Sequence, residues 1–501
     1  MHVPNHSRRG GTLLMAVMTI ALCSILVATH LQTLIPKYRS AHQAASWREA
    51  LQAAEAGVNH GINELNEMAV SNRDSGSYPW AAKGWSPLDP LFGLNGERLL
   101  DAALLPLLGG SNNTGVTQLS VDVYTRQATP PYHPWYRIRA TGRADLPGRF
   151  LSGDRRDGRL RHMKLGAQKA GKSAPYVTRT VETIVKPRHR FARAITAVRE
   201  LRLGGSSDWQ IDSFDSSDLG KSDAGTAAGG VYPQDPAQRG SHGNIASART
   251  LPESSPYGEL IDGNGARVAG EVQTVGGDDP TTEERENVSG SSGMDLSRIR
   301  DDFDDDIPAA PVPAWSLALP APLLNTNFLS GSETLPLRYV VNGNLGAFRV
   351  LPALPGTTGY VEILVKGDLA IGTGGGAEIV IPPNVNATII VRGNIDMGNG
   401  VVNAGAGSSN VATHLTIFGI STSPFANYRA SGNAAQILSF YGPNYDVKLE
   451  GTVTSMGAMV AKTFQISGGG SGGFHYDEAL GKSGDIMGWV VVSYFEDARG
   501  E

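Results

Sequence analysis

The chain has 501 residues, 40% apolar and 18% charged, with a net charge of −5. That length calls for two or three units, and the apolar share excludes global disorder. The charge builds no broad basic face and argues against a nucleic-acid partner, and the single cysteine, Cys23, excludes an intrachain disulfide framework and a cysteine-based metal site.

Arg8 and Arg9 precede an uncharged stretch that runs to Lys37, with an apolar core from Leu13 to Ala28. Extended by Thr29, Leu31, Leu34 and Ile35, it is long enough to span a bilayer, over about residues 13–35. A cleavable secretory signal has the same basic start and apolar core, and would leave a mature chain beginning near residue 30. The continuation favours a retained helix. Trp47, Leu51, Ala54, Val58, Ile62 and Leu65 recur at helical spacing and mark one face. Pro36 removes a backbone donor and predicts a kink near the membrane surface.

The segment Arg9-Gly10-Gly11-Thr12-Leu13-Leu14-Met15-Ala16 resembles the start of type IV pilus assembly proteins of the PilX kind and is similar to large minor pseudopilins of type II secretion. The run Gln52 to Leu65, "QAAEAGVNHGINEL", resembles the PilX-type helix. The resemblance implies a basic leader over 1–10 and a pilin-like helix over 11–68. It also implies cleavage by a prepilin peptidase between Gly10 and Gly11, or after Gly11 in the alternative register. Major pilins carry Glu at the fifth mature position. Met15 stands there, which fits a minor subunit. A lone carboxylate in hydrocarbon is expensive unless a neighbouring terminus pairs with it, so docking here would rest on helix packing.

From about Ala69 to Pro90 the chain is rich in Ser, Gly and Pro and reads as a loop with Trp80 and Trp85 as isolated aromatics. Alternating runs from Val116, Tyr136 and Tyr176 predict an antiparallel sheet against the amphipathic half of the helix, within a head-like region over 69–190. Gly148 to Ser173, including the basic run Arg155–Arg161, reads as an exposed loop.

Beyond Phe191, short apolar runs end in Gly, often followed by Asp or Asn. The markers Gly343, Gly367, Gly393, Gly419 and Gly442 recur at a loose solenoid period. They predict a right-handed parallel β-helix over 191–490, with left-handed backbone at glycine corners, a polar insertion over about 205–325 and a tail over 491–501. Asp301, Asp302, Asp304, Asp305 and Asp306 precede a Pro-rich joint, Pro308 to Pro322, which reads as an exposed linker crossing the rod. The stretch Gly359 to Leu480, with "GGFHYDEAL" from Gly472, resembles an uncharacterised β-helix-like domain at the C-terminus of PilX-like proteins.

Carboxylates that could serve a carbohydrate-active enzyme are Asp212, Asp215 and Asp218, the Asp301–Asp306 cluster, and Asp477 and Glu478 beside His475 and Tyr476. Turn chemistry accounts for them more simply. Asp212, Asp215 and Asp218 are also candidate Ca²⁺ ligands, though the run lacks the Gly and Glu of an EF-hand loop. The expected fold class is mainly β with a long N-terminal helix, a small antiparallel sheet and a C-terminal parallel β-helix. The expected function is that of a non-enzymatic, cofactor-free minor pilin-like subunit, single-pass in a bacterial inner membrane with its bulk outside the cytoplasm. Its partners would be other pilin-like subunits, assembly-platform proteins, the prepilin peptidase, lipid, and a surface or glycan ligand. The alternatives are an anchored or secreted β-helical enzyme and a pseudopilin-like secretion tip.

Overall fold

The computed structural model describes residues 9–75, 80–87, 98–100, 114–125, 135–146, 176–203, 209–226, 229–248, 261–262, 266–275, 288–290, 293–294, 296–300, 303, 307–313, 315, 318–320, 327–333, 335–372, 377–468, 472–482 and 486–497. The leader before Arg9, the loop 148–173 and all five aspartates of the Asp301–Asp306 cluster lie outside them. Two compact units result, one from Met1–Pro187 with Ile486–Glu501, the other from Arg188–Asp485.

The first unit is a single helix, Arg9–Ser75, on a six-stranded sheet. Its apolar half is exposed, and Pro36 sits inside the helix. Thr19, Ser24 and Thr29 donate to the carbonyls of Met15, Ile20 and Ile25 one turn back, so their hydroxyls need no outside partner. Further along, the buried face is Ser46, Ala50, Ala53, Ala54, Gly57, Val58, Gly61, Glu64, Leu65 and Met68. This face includes Ala54, Val58 and Leu65 of the expected stripe, with Leu51 and Ile62 half-buried against the same core, but it is centred on smaller residues, and Trp47 is exposed with Arg179 over its ring. The reason is close approach. A Cβ on Gly57 would lie 2.8 Å from Ala140 Cβ, one on Gly61 2.8 Å from Ile138 Cγ2, and one on Gly142 2.9 Å from Ala53 Cβ. Small residues on both sides let the helix backbone settle onto the sheet, and dispersion contacts replace large side chains.

The sheet runs Trp85–Pro87, Arg98–Leu100, Thr114–Thr125, Trp135–Asp145, Tyr176–His189 and, at the far edge, Ile486–Asp497. The three long strands read from sequence pair antiparallel in order. Trp80 and Trp85 are buried edge-to-face at 5.5 Å in the head core, rather than isolated in a loop. The chain's last residues were expected to end the solenoid and trail off as a tail. Ile486–Asp497 instead completes the head sheet, and Trp489 joins its core. The second unit is thus inserted between two neighbouring strands of the first.

The second unit is a stack of parallel strands on three sides, as in a β-helix. One side stacks Tyr339, Ile363, Ile389, Ile417, Phe440, Met459, Ile195, Ile245, Val272 and Ile299. The Ile363–Ile245 part of this ladder is fully buried. Coil order therefore departs from chain order. The coils of residues 195–300 stack on the C-terminal coil at Thr454–Ser467, and the chain then crosses to the opposite end and returns. Phe303 N–H donates to Thr274, the Tyr441 hydroxyl donates to Pro308 O at 2.6 Å, Arg338 lies over Trp315, and Leu319 pairs beside Tyr339. Ten strand spacings of about 4.8 Å, from Ile299 to Leu319, come to about 48 Å, and sixteen residues of proline-rich chain at about 3.1 Å each reach about 50 Å. The joint crosses the rod as the sequence suggests, yet Phe303 and Ala310 are buried, so it is a strap rather than a free linker. It meets the outer apolar row Leu364, Ile390, Phe418, Tyr441 and Val460 at Tyr441, which bonds it directly. Strands buried on both faces read as unbroken apolar runs.

The marker glycines work differently from expectation. None of the five has a left-handed φ. Gly343, Gly367 and Gly393 stack through Gly367 N–H to Gly343 O and Gly393 N–H to Gly367 O. Gly419 stacks beside Val391 instead, two residues out of phase, and is followed by Gly442 in the next coil. A Cβ on Gly393 would lie 2.6 Å from Gly367 O, and one on Gly419 would run into the Tyr445 ring. Close approach between coils is the demand that Gly367 and Gly393 meet, the Phe440 and Tyr445 rings crowd Gly419 and Gly442, and Gly343 has open space.

Candidate functional site: the helix and a buried polar seam

Two features carry chemistry. The first is the helix, whose most apolar 18-residue window has a mean hydropathy of 2.2 and no buried residue. It is long and apolar enough to cross a membrane. Gly10 and Gly11, the proposed processing residues, fall in its first turns. Cys23 is exposed on the apolar half.

The second lies in the solenoid, where strand Trp209–Phe214 pairs in register with Gly473–Asp477, setting His475 beside Asp212, Tyr476 beside Ser213 and Asp477 beside Phe214. Sequence reading singled out both runs and did not join them. The missing signal was coil order, because their pairing depends on residues 195–300 stacking on the last coil. Asp212 bonds His475 Nδ1 through Oδ1 at 2.5 Å and accepts from the Tyr232 hydroxyl through Oδ2 at 2.6 Å. The Tyr232 ring stacks on His475 at 3.7 Å. Burial, with the Asp212 charge beside it, pushes the Tyr232 hydroxyl far up.

Glu478 accepts from Ser213 Oγ at 2.8 Å and pairs with His242 Nδ1 at 2.8 Å and Lys221 Nζ at 3.5 Å. Burial raises its carboxyl, but the His242 and Ser213 hydrogen bonds outweigh that and hold it at about 2. The Glu478 hydrogen bond in turn raises His242. Asp477 accepts from Ser216 N at 3.0 Å, Ser216 Oγ at 2.7 Å and Ala479 N at 3.1 Å, and burial still pushes it up to about 6. Asp215 accepts from Ser217 N at 3.0 Å and pairs with Lys482.

The Ca²⁺ candidates diverge. Asp212 and Asp215 are buried against separate partners, and Asp218 is exposed and accepts from Gly220 N at 2.9 Å. Among the described residues no three His, Cys, Asp or Glu converge on a metal position. His475 lends its ring to Asp212 and Glu478 its carboxylate to Ser213 and His242, so this geometry binds one coil to another.

Beside the marker glycines, Asn344, Asp368 and Asn394 form a short ladder. Asp368 N–H donates to Asn344 Oδ1 at 2.9 Å, Asn394 N–H to Asp368 Oδ1 at 2.7 Å, and Asn427 N–H to Asn394 Oδ1 at 3.2 Å. Each side chain serves the backbone of the adjoining coil.

Residues 354–483 match a family described as a domain of unknown function, DUF7305. The match falls on the segment Gly359–Leu480 that stood out in the sequence. No curated protein matches the chain. Among solved structures, the competence-associated pilin ComZ from Thermus thermophilus is similar at 10% identity, over 90% of this chain and 98% of that chain, with a TM-score of 0.22, too slight to carry an argument.

Proposed function

We propose that this chain is a minor pilin-like subunit, anchored by its N-terminal helix and displaying the solenoid outside the cytoplasm for assembly or adhesive contact. The observation that carries this reading is the division of one continuous helix. Its first half is apolar, exposed and internally satisfied in its hydroxyls; its second half is buried on an antiparallel sheet through Ala50, Ala54, Gly57 and Gly61. A rod of that kind can sit in lipid or among similar rods while holding its cargo in water. Processing by a prepilin peptidase at Gly10 and kinship with PilX-like proteins belong to the same proposal. A non-enzymatic role is supported by the seam, whose carboxylates are committed to fixed partners.

N-terminal sequencing of protein recovered from membranes tests the reading. A mature chain starting at Gly11 is expected. A mature chain beginning near residue 30 would overturn it, because the helix would then have served as a secretion signal.

A further inference from the structure

Most seams between coils of the solenoid carry apolar ladders, such as Ile363, Ile389 and Ile417, and each is held by contacts between neighbouring coils. One seam differs. Asp212, Ser213, Asp215 and Ser216 are all buried, and their side chains meet His475, Glu478, Lys482 and Asp477 respectively. Four partners in about eight residues answer four groups more than 250 positions earlier in the chain. Tyr476 adds a bond from its hydroxyl to Phe191 O at 2.8 Å. Without these counter-groups the Trp209–Ser216 turn would hold two buried carboxylates with few donors, which a folded chain does not tolerate.

We propose that residues 475–482 act as a latch. The coils built from Ile195–Arg300 keep their closed arrangement only while this late segment of the chain supplies partners to Asp212, Ser213, Asp215 and Ser216. The remaining coils, Leu337–Leu449, close independently on apolar contacts and uncharged hydrogen bonds such as Asn403 to Ile437 O. The solenoid then has two cooperative parts, and the part made first in synthesis is completed last.

Hydrogen–deuterium exchange on the full-length protein tests this with His475→Ala and Glu478→Ala. The expected result is exchange at least about tenfold faster in Ile245–Ser247 and Ala266–Ala269, the loss of a charged buried hydrogen bond being worth that much, with Gly359–Val365 and Val385–Val391 unchanged. Unchanged exchange in the first pair, or equal acceleration in both pairs, overturns the latch. If either variant fails to fold, Ser213→Ala removes one donor to Glu478 with less disturbance and is read by the same comparison.

Discussion

The indole N–H of Trp489 donates to the carbonyl of Leu65 at 2.9 Å, fastening the last strand of the chain to the long helix. Its backbone N–H also donates to Asn66 Oδ1 at 3.1 Å, and its ring meets Tyr136 edge-to-face at 5.0 Å. The residue lies 423 or more positions from its helical partners, so the head sheet is complete only after the solenoid has been made. Trp489→Ala is expected to cost the head about 3–5 kcal/mol, measured by chemical denaturation, while Trp489→Phe keeps most of the ring packing and costs less.

Gly142 is the tightest point beneath the helix. A side chain there would meet the backbone of Ala54 at 2.5 Å and Ala53 Cβ at 2.9 Å. Gly142→Val should therefore lift the helix and cost about 3 kcal/mol or more, beyond ordinary overpacking because backbone must move. Gly343 is the contrast: nothing lies within 4 Å of its would-be Cβ, and Gly343→Ala should change stability by less than about 1 kcal/mol. Denaturation midpoints of the two variants decide this.

The seam gives the solenoid a pH optimum. Asp477 binds its proton more tightly folded, at about 6, than its ordinary 3.8. Its contribution is therefore greatest at low pH and is lost as pH rises through 6, an effect of about 3 kcal/mol. Glu478 works in the opposite sense. Held at about 2, it stabilises above its ordinary 4.5 and loses that contribution as pH falls towards 2. Stability from these two groups should peak between about 3.8 and 4.5 and fall from there to about 6. Asp477→Asn should flatten the slope between pH 4 and 6 and raise stability at pH 7, as followed by thermal melts across pH.

Tyr445 fills the space left by Gly419 and donates its hydroxyl to Val391 O at 3.0 Å and Gly393 O at 2.7 Å. Burial raises its hydroxyl to about 12. Tyr445→Phe should cost about 1 kcal/mol by leaving those carbonyls short of a donor. Gly419→Ala should cost more, because its methyl enters the ring's place. Urea denaturation ranks the two.

Element type was legible where the period was strong. The alternating runs from Val116, Tyr136 and Tyr176 became neighbouring strands, and the apolar runs before Gly367 and Gly393 became stacked coils. What was hidden is long-range. Nothing local in "WVVVSYF" says that Val490 and its neighbours leave the solenoid for the head sheet, and nothing in "DSFDSSD" names His475 as its neighbour. The helix face was legible in part: Ala54, Val58 and Leu65 are buried and Leu51 and Ile62 pack against the same core, whereas Trp47 is exposed and the closest approach falls on Ala50, Gly57 and Gly61. The marker glycines do not turn on handedness: crowding explains Gly367, Gly393, Gly419 and Gly442, and nothing in the structure explains Gly343.

Because the chain joins and leaves the stack at adjoining coils in its interior, both extremities of the rod are free of covalent attachment to the head. Coils could be gained or lost at either extremity, with the strap lengthened to match, and the junction would remain untouched. Chains with solenoids of very different length could therefore share one such helix-and-sheet unit, the length set by how many turns lie on each side of Ile195 and Met459.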